Sequence, residues 1–397
     1  MTYRFMRMVD DTLGMFLCRV VGLLLQVKHA LLPRRRVVEK ICVKHILIQK
    51  YFGMGSMLHA IPLVKALRAN YPQARITFVT TAPYREVITL CGLADTVLTM
   101  DTRSLASFLL SCARLFVVPC KQRVDISLDL EFFAKFPMLV SALSLAPTRI
   151  GLYQRKVRPE GILTHKVHYN FYRHLSEIYL AYATQLELEV HTSPRDQVLP
   201  SFRKELESRL RARFQLEAAK KIMIVNVNAG DLFAFRKWPE DHFVKLLGGL
   251  LERHPEYNFI LIGTSVESAY VDRIISRIGP RANMMNCAGK TTLRELFALI
   301  EMADLVITND SGPLHIASYY GKNIAAFFGP ETPVVYGPVN ENALVFYSDH
   351  LYCSPCMSVY DSKQSLYAET CENNRCLSAL LPETVLETIE HRFLAGA

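Results

Sequence analysis

The chain has 397 residues, half of them hydrophobic and 21% charged, which excludes a disordered polymer and allows two domains that each bury a core. With 46 Lys and Arg against 37 Asp and Glu, the formal charge of +9 favours anionic partners such as nucleotides, phosphorylated lipids or a membrane surface. Nucleic acid is not expected as a partner, because the basic residues are not interleaved with aromatics and no recognition motif occurs.

Residues 1–40 read as an amphipathic, basic N-terminal extension. Leu13 to Leu32 is strongly apolar, yet Arg19, Gln26, Lys28 and His29 interrupt it. A membrane-spanning helix needs about 20 consecutive apolar residues, so a span is disfavoured. A signal peptide also fits poorly, since the charges lie inside and after the apolar run. Two readings stay open: a helix lying on a membrane surface, with contact through residues 13–44 and anchored by Arg34-Arg35-Arg36, or a helix packed on the protein's own body.

From Lys44 the pattern alternates short β-rich runs with amphipathic stretches. Lys44–Gln49 reads as a strand, followed by the loop Phe52-Gly53-Met54-Gly55-Ser56 and a helical spacing over Leu58, Ile61, Leu63, Val64 and Leu67. Further strands are expected at Arg75–Thr80, Thr96–Met100, Val124–Leu130 and Thr148–Leu152, with helices at Glu86–Leu93 and Ser104–Val118. The polar run His191–Pro200 reads as a linker. The alternation then restarts, with strands at Lys221–Val227, Asn258–Gly263, Asp304–Thr308 and Asn323–Phe328. Helices are expected at Phe202–Leu216, Asp241–Arg253, Glu267–Ile278, Leu293–Met302 and Leu314–Tyr320. Strands alternating with helices imply α/β units with parallel sheets. Two doubly wound Rossmann-like domains, at 41–195 and 196–397, make up the GT-B architecture, with the active site expected in a cleft that the domains face.

Four loops at strand ends are candidate sites, because ligands of doubly wound sheets bind at the carboxyl ends of strands. In the first, Gly53 and Gly55 allow close backbone approach, although Leu58 breaks a full dinucleotide-binding fingerprint. The second is Asn228-Ala229-Gly230-Asp231, followed by Arg236-Lys237-Trp238-Pro239-Glu240, where two adjacent cations suit a phosphate. The third is Thr308-Asn309-Asp310-Ser311-Gly312-Pro313-Leu314-His315, a strand end opening into a helix whose free N–H groups and dipole make an anion seat. The fourth is Phe328-Gly329-Pro330-Glu331-Thr332-Pro333.

These motifs, in this order and spacing, resemble glycosyltransferase family 9, the ADP-heptose:lipopolysaccharide heptosyltransferase group. Pro62, Ala66-Leu67-Arg68 and Pro72 after the first loop add to the match. The resemblance implies an inverting transfer from a nucleotide diphosphate sugar, with an ADP-sugar favoured, no required cofactor and no metal. The acceptor would be lipopolysaccharide or another cell-envelope glycan or glycolipid. It also implies a cytoplasmic location, peripheral on the inner face of the cytoplasmic membrane. By analogy, Asp310, Ser311, Gly312 and His315 grip the donor diphosphate, with Gly55, Gly230 and Lys237 beside the donor. Arg236 neutralises the leaving phosphate, and Glu267 holds the donor ribose.

One position departs from the family pattern. The family's first loop carries Gly-Asp, the Asp being the presumed base, whereas this chain has Gly55-Ser56, and serine is too weak a base near neutral pH. Glu131 is then the preferred base over Asp129, which sits among strand residues. Alternatively Ser56 hydrogen-bonds a substrate in a reaction needing little base assistance, or the chain binds nucleotide sugar without turnover. A sugar-nucleotide epimerase shares the architecture and is a further alternative. Finally, Cys353-x-x-Cys356 and Cys371-x4-Cys376 suit either a structural zinc held by four thiolates or disulfides, as a staple rather than a catalytic group.

Overall fold

The computed structural model describes residues 8–31, 43–132, 134–154, 157–196, 199–230, 235–356, 371 and 374–395. The chain divides into two compact units, Met1–Gln197 and Val198–Ala397.

The first unit holds a six-stranded sheet of β1 (His45–Gln49), β2 (Arg75–Thr81), β3 (Thr96–Met100), β4 (Ile126–Asp129), β5 (Thr148–Tyr153) and β6 (His165–His168). Their spatial order is β3-β2-β1-β4-β5-β6, all parallel. β1 is central: Ile48 lies opposite Phe78 on β2 and Leu128 on β4. It is buried along its whole length, which is why it reads as a continuous apolar run rather than an alternating one.

The second unit repeats the plan with β7 (Lys221–Asn226), β8 (Tyr257–Leu261), β9 (Met284–Asn286), β10 (Leu305–Asn309), β11 (Asn323–Phe328) and β12 (Ala343–Tyr347). Their order is β12-β11-β10-β7-β8-β9, again parallel. Numbered within its own unit, each sheet has the order 3-2-1-4-5-6 of the dinucleotide-binding doubly wound fold. The connection direction reverses between β1 and β4, and again between β7 and β10. The strand-end loops leave a crevice at each reversal, so these two places are where a ligand is expected.

The predicted alternation is present, with differences at the sheet edges. The sequence reading closes the first half at Thr148–Leu152, but β6 adds a sixth strand beyond it. It likewise omits β9, β12 and the helices Phe136–Leu143, Leu175–Gln185 and Pro382–Ile389. The N-terminal helix Met15–Leu31 packs through Cys18, Val21 and Leu25 on Met138, Ala142 and Ile162 of the first unit. No helix of the described residues is long and apolar enough to cross a membrane. Arg34-Arg35-Arg36 and the rest of 32–42 lie outside the described residues.

Candidate active site

In the second unit the reversal point is stitched by side-chain amides. Asn226, the last residue of β7, donates through Nδ2 to Ser311 Oγ at 2.8 Å, Thr308 Oγ1 at 3.2 Å and the Asn228 carbonyl at 3.1 Å. Asn309, the last residue of β10, accepts the Trp238 N–H at 2.9 Å. Ser311 Oγ donates to the Asn309 carbonyl at 3.0 Å. The Ser311 hydroxyl is therefore turned towards Asn226, Thr308 and the Asn309 carbonyl at the strand ends. The helix Gly312–Tyr319 begins there, with Pro313 in its first turn, where a missing N–H costs no intrahelical bond. His315 is buried inside this helix, one turn from its start.

Trp238 fixes the neighbouring cations. Its indole is fully buried, stacked on Phe327 with ring centroids 4.3 Å apart, and its Nε1–H donates to the Leu380 carbonyl at 3.0 Å. The two adjacent cations diverge from this anchor. Lys237 Nζ sits 4.7 Å over the Tyr270 ring. The Arg236 guanidinium instead lies 3.3 Å from Asp310 Oδ2 and 3.4 Å from Glu331 Oε1. Two buried carboxylates thus converge on one guanidinium. Burial raises Asp310, with Arg236 opposing. Burial pushes Glu331 up to about 8, with Arg236 pulling it down and Asp310 pushing it further up. One cation does not fully compensate two buried acids, so both are shifted towards their protonated forms.

The other predicted donor residues take distinct places. Glu267 is buried and its Oε2 accepts from Thr264 N at 2.7 Å and Thr264 Oγ1 at 2.9 Å, closing a capping box. Gly230 adopts φ +75°, with open space where a Cβ would be. Asp231 lies outside the described residues. Asn228, two residues before Gly230, opens the second candidate loop. It is buried, its Nδ2 donates to the Ile262 carbonyl at 3.1 Å, and its Oδ1 has no hydrogen-bond donor among the described residues. An orphaned buried acceptor costs about 1–3 kcal/mol, a cost a bound donor group would remove.

In the first unit the reversal point is spanned by Glu131, just beyond β4. Its Oε1 accepts from Lys50 Nζ at 2.8 Å, Tyr51 N at 2.7 Å and Phe52 N at 3.1 Å. Glu131 therefore ties the end of β4 to the loop after β1. Gly53 needs its glycine: φ is +87°, and a Cβ would come 3.2 Å from Ser56 Oγ. Gly55 and Ser56 lie in the short helix Met54–Leu58, and His59 follows, edge-on to His174 at 4.6 Å. Asp129, at the end of β4, is spent on a buried ion pair: its Oδ2 meets Arg158 Nη1 at 2.6 Å with both side chains fully buried. Burial raises Asp129 to about 6 against the pull of Arg158.

Cys353, Cys356, Cys371 and Cys376 are all free thiols. They are near enough to influence one another's ionisation, and Cys376 is pushed up to about 12, by burial first and then by its three neighbours. Among the described residues, no group of three or more His, Cys, Asp or Glu is arranged to hold a metal ion.

The model of glycosyltransferase family 9 (heptosyltransferase) matches residues 120–367, more than half of the chain. The chain belongs to this family. Lipooligosaccharide heptosyltransferase 2 of Campylobacter jejuni is 30% identical over 196 residues, which are 47% of this chain and 57% of that protein. The chain thus spans a little over half the length of the curated relatives it first matches. In fold, a family 9 glycosyl transferase from Veillonella parvula aligns with TM-score 0.71 at 20% identity, covering 90% of this chain and 99% of that one. An Escherichia coli ADP-heptose heptosyltransferase II aligns with TM-score 0.67 at 20% identity, covering 89% and 99%. These alignments bear out the GT-B fold. The family match includes Glu131, Arg236 and the Asn309–His315 run, and excludes the Ser56 loop.

The raised Glu331 gives a pH signature. A folded-state value above the ordinary 4.5 means that the folded chain holds a proton which the unfolded chain releases. That contribution to stability is fully present below about 4.5 and is lost as pH rises through about 8. Thermal melting of the wild type is therefore expected to fall with rising pH across this window more steeply than that of Glu331→Gln. Parallel profiles would show that Glu331 does not carry the titration.

Proposed function

We propose that this chain transfers heptose from an ADP-activated donor to the lipid-linked core glycan of lipopolysaccharide or lipooligosaccharide, with inversion and without a metal. The observation that carries the reading is Arg236, held by Asp310 and Glu331 at the reversal point beside the start of the helix Gly312–Tyr319. Family membership, the name of the Campylobacter relative and the ADP-heptose named for the E. coli neighbour support the donor and acceptor classes.

In this reading residues 196–397 are the donor domain. The diphosphate sits on the N–H groups that open the helix at Gly312, where the helix dipole favours an anion. Arg236 turns from its carboxylates to the leaving phosphate, and their partial neutrality eases that exchange. Charge develops on the diphosphate as the anomeric C–O bond breaks, so preformed N–H donors and one guanidinium stabilise it without a metal. Glu267 keeps Oε1 for a ribose hydroxyl, and Asn228 Oδ1 receives a donor from the nucleotide. Gly55 and Gly230 give the nucleotide sugar close backbone approach, while Lys237 contributes through its charge from the Tyr270 face.

Residues 41–195 are the acceptor domain. The acceptor oxygen attacks the anomeric carbon opposite the departing diphosphate. Its proton passes to Glu131 through Oε2, because three donors occupy Oε1, and Ser56 orients the hydroxyl. The same three donors favour a second reading, in which Glu131 only braces the first loop. A chain that binds donor without turnover is the corresponding non-catalytic outcome, raised by Ser56. A lipid-linked acceptor supports a position on the cytoplasmic face of the inner membrane, in peripheral contact through residues 13–44.

ADP release from ADP-heptose with a core-glycan acceptor tests these roles. Arg236→Ala is expected to lower kcat by about 10²–10³, the usual effect of deleting one oxyanion donor. Glu131→Gln, which keeps the Oε1 acceptor, is expected to lower kcat by about 10²–10⁴ if Glu131 is the base. Unchanged kcat in Glu131→Gln assigns it to bracing, and no ADP release by the wild type with any core acceptor sinks the transferase reading.

A further inference from the structure

The N-terminal helix Met15–Leu31 has two faces with different fates. The inward face is fixed to the first unit by three kinds of contact. Cys18 is fully buried among Met138, Ala142 and Ile162. Gly22 meets the loop ahead of β6 so closely that a Cβ would come 2.5 Å from the Glu160 carbonyl, and Gly161 likewise faces the Gly22 carbonyl. At the helix start, Asp10 accepts the Phe136 N–H at 2.9 Å and the Lys135 N–H at 2.8 Å, while Asp11 pairs with the Lys135 ammonium. This half of the sequence reading is settled: the helix does pack on the protein's own body.

The opposite face is apolar and uncovered. Phe16, Leu23 and Leu24 are each 62% exposed, and Leu13, Leu17, Val20, Val27 and Leu31 are exposed beside them. At 100° per residue these eight side chains fall within about 120° of the helix circumference. Exposed Arg19 borders one edge of this stripe and exposed Lys28 the other. The helix contains no acidic residue, and the two acids that precede it, Asp10 and Asp11, are turned to Lys135 and Phe136. The outward face is therefore apolar with a cationic rim and no counter-charge of its own. The sequence continues with Arg34-Arg35-Arg36, Lys40 and Lys44 against Glu39 alone.

We propose that this face is a membrane-docking surface, seated in the plane of an anionic bilayer with its apolar stripe in the acyl boundary and Arg19 and Lys28 at the phosphate level. The charge arrangement selects the occupant. A second copy of a +9 chain would bring the same cations against these, whereas anionic headgroups complement both edges. The inference deepens the peripheral contact proposed above by naming its surface and lipid class. Because the inward face is bolted to the first unit, docking would hold that whole unit, and with it the Glu131 loop, at the lipid surface.

Co-sedimentation of the full chain with vesicles tests this without donor or acceptor, so its outcome is independent of the transferase reading. The wild type is expected to pellet with mixed phosphatidylethanolamine–phosphatidylglycerol vesicles, more weakly with pure phosphatidylcholine, and less at high salt. The double variant Leu23→Glu/Leu24→Glu is expected to lose vesicle partitioning by about 100-fold or more while its melting temperature is unchanged, since both side chains face outward. Wild type that stays in the supernatant overturns the proposal, as does a double variant that pellets equally well. A wild-type dimer by light scattering that the double variant abolishes, with no vesicle binding, would assign the face to a second copy instead.

Discussion

One guanidinium organises the second unit's site. Arg236 is held by two buried carboxylates that come from different strand ends, Asp310 after β10 and Glu331 after β11. Breaking such an arrangement by removing the cation leaves acids buried without compensation, a situation that costs about 3–5 kcal/mol for a buried pair. The arrangement depends on the stack of Trp238 on Phe327, which sets where the chain before Trp238 runs. It depends equally on the Asn309 side chain, which accepts the Trp238 N–H and so joins that segment to the end of β10. The start of the helix Gly312–Tyr319, the cation and its counter-charges are thus one connected structure at the reversal of the sheet.

The first unit uses the same topology with different chemistry. Glu131 there joins the end of β4 to the loop after β1 by accepting two backbone N–H groups and one ammonium. A carboxylate bridging the reversal point shapes the loop that carries Gly53, Gly55 and Ser56. The fully buried pair of Asp129 and Arg158 lies behind it and anchors the segment from the far side. Ser56, which the sequence resemblance sets against an expected acid, therefore sits in a loop that the neighbouring carboxylate holds in place.

Much of this was legible in the sequence, and the remainder was not, for physical reasons. β1, β7 and β10 are buried on both faces and read as short apolar runs between loop signals. The edge strands β6, with the sequence His-Lys-Val-His, and β9, three residues long, carry no such pattern and went unread. The Asn309–His315 run announced a strand end opening into a helix, and it is one. Its spacing could not reveal that the Ser311 hydroxyl is spent on the sheet, because the partner Asn226 lies 85 residues away. Likewise the adjacency of Arg236 and Lys237 suggested a joint phosphate clamp, while their partners, Tyr270 for one and Glu331 for the other, were invisible to local pattern. The N-terminal helix was legible as amphipathic. Only the burial of Cys18 and the inward turn of Asp10 and Asp11 tell which face is spent on the fold.

A nucleotide diphosphate at the reversal point between β7 and β10 is open to a crystal structure of the chain with bound ADP. The diphosphate is expected at the start of the helix Gly312–Tyr319, within hydrogen-bonding distance of the Gly312 N–H and of an Arg236 that has moved off Glu331. ADP bound away from that helix, with Arg236 still closed on Asp310 and Glu331, would contradict it.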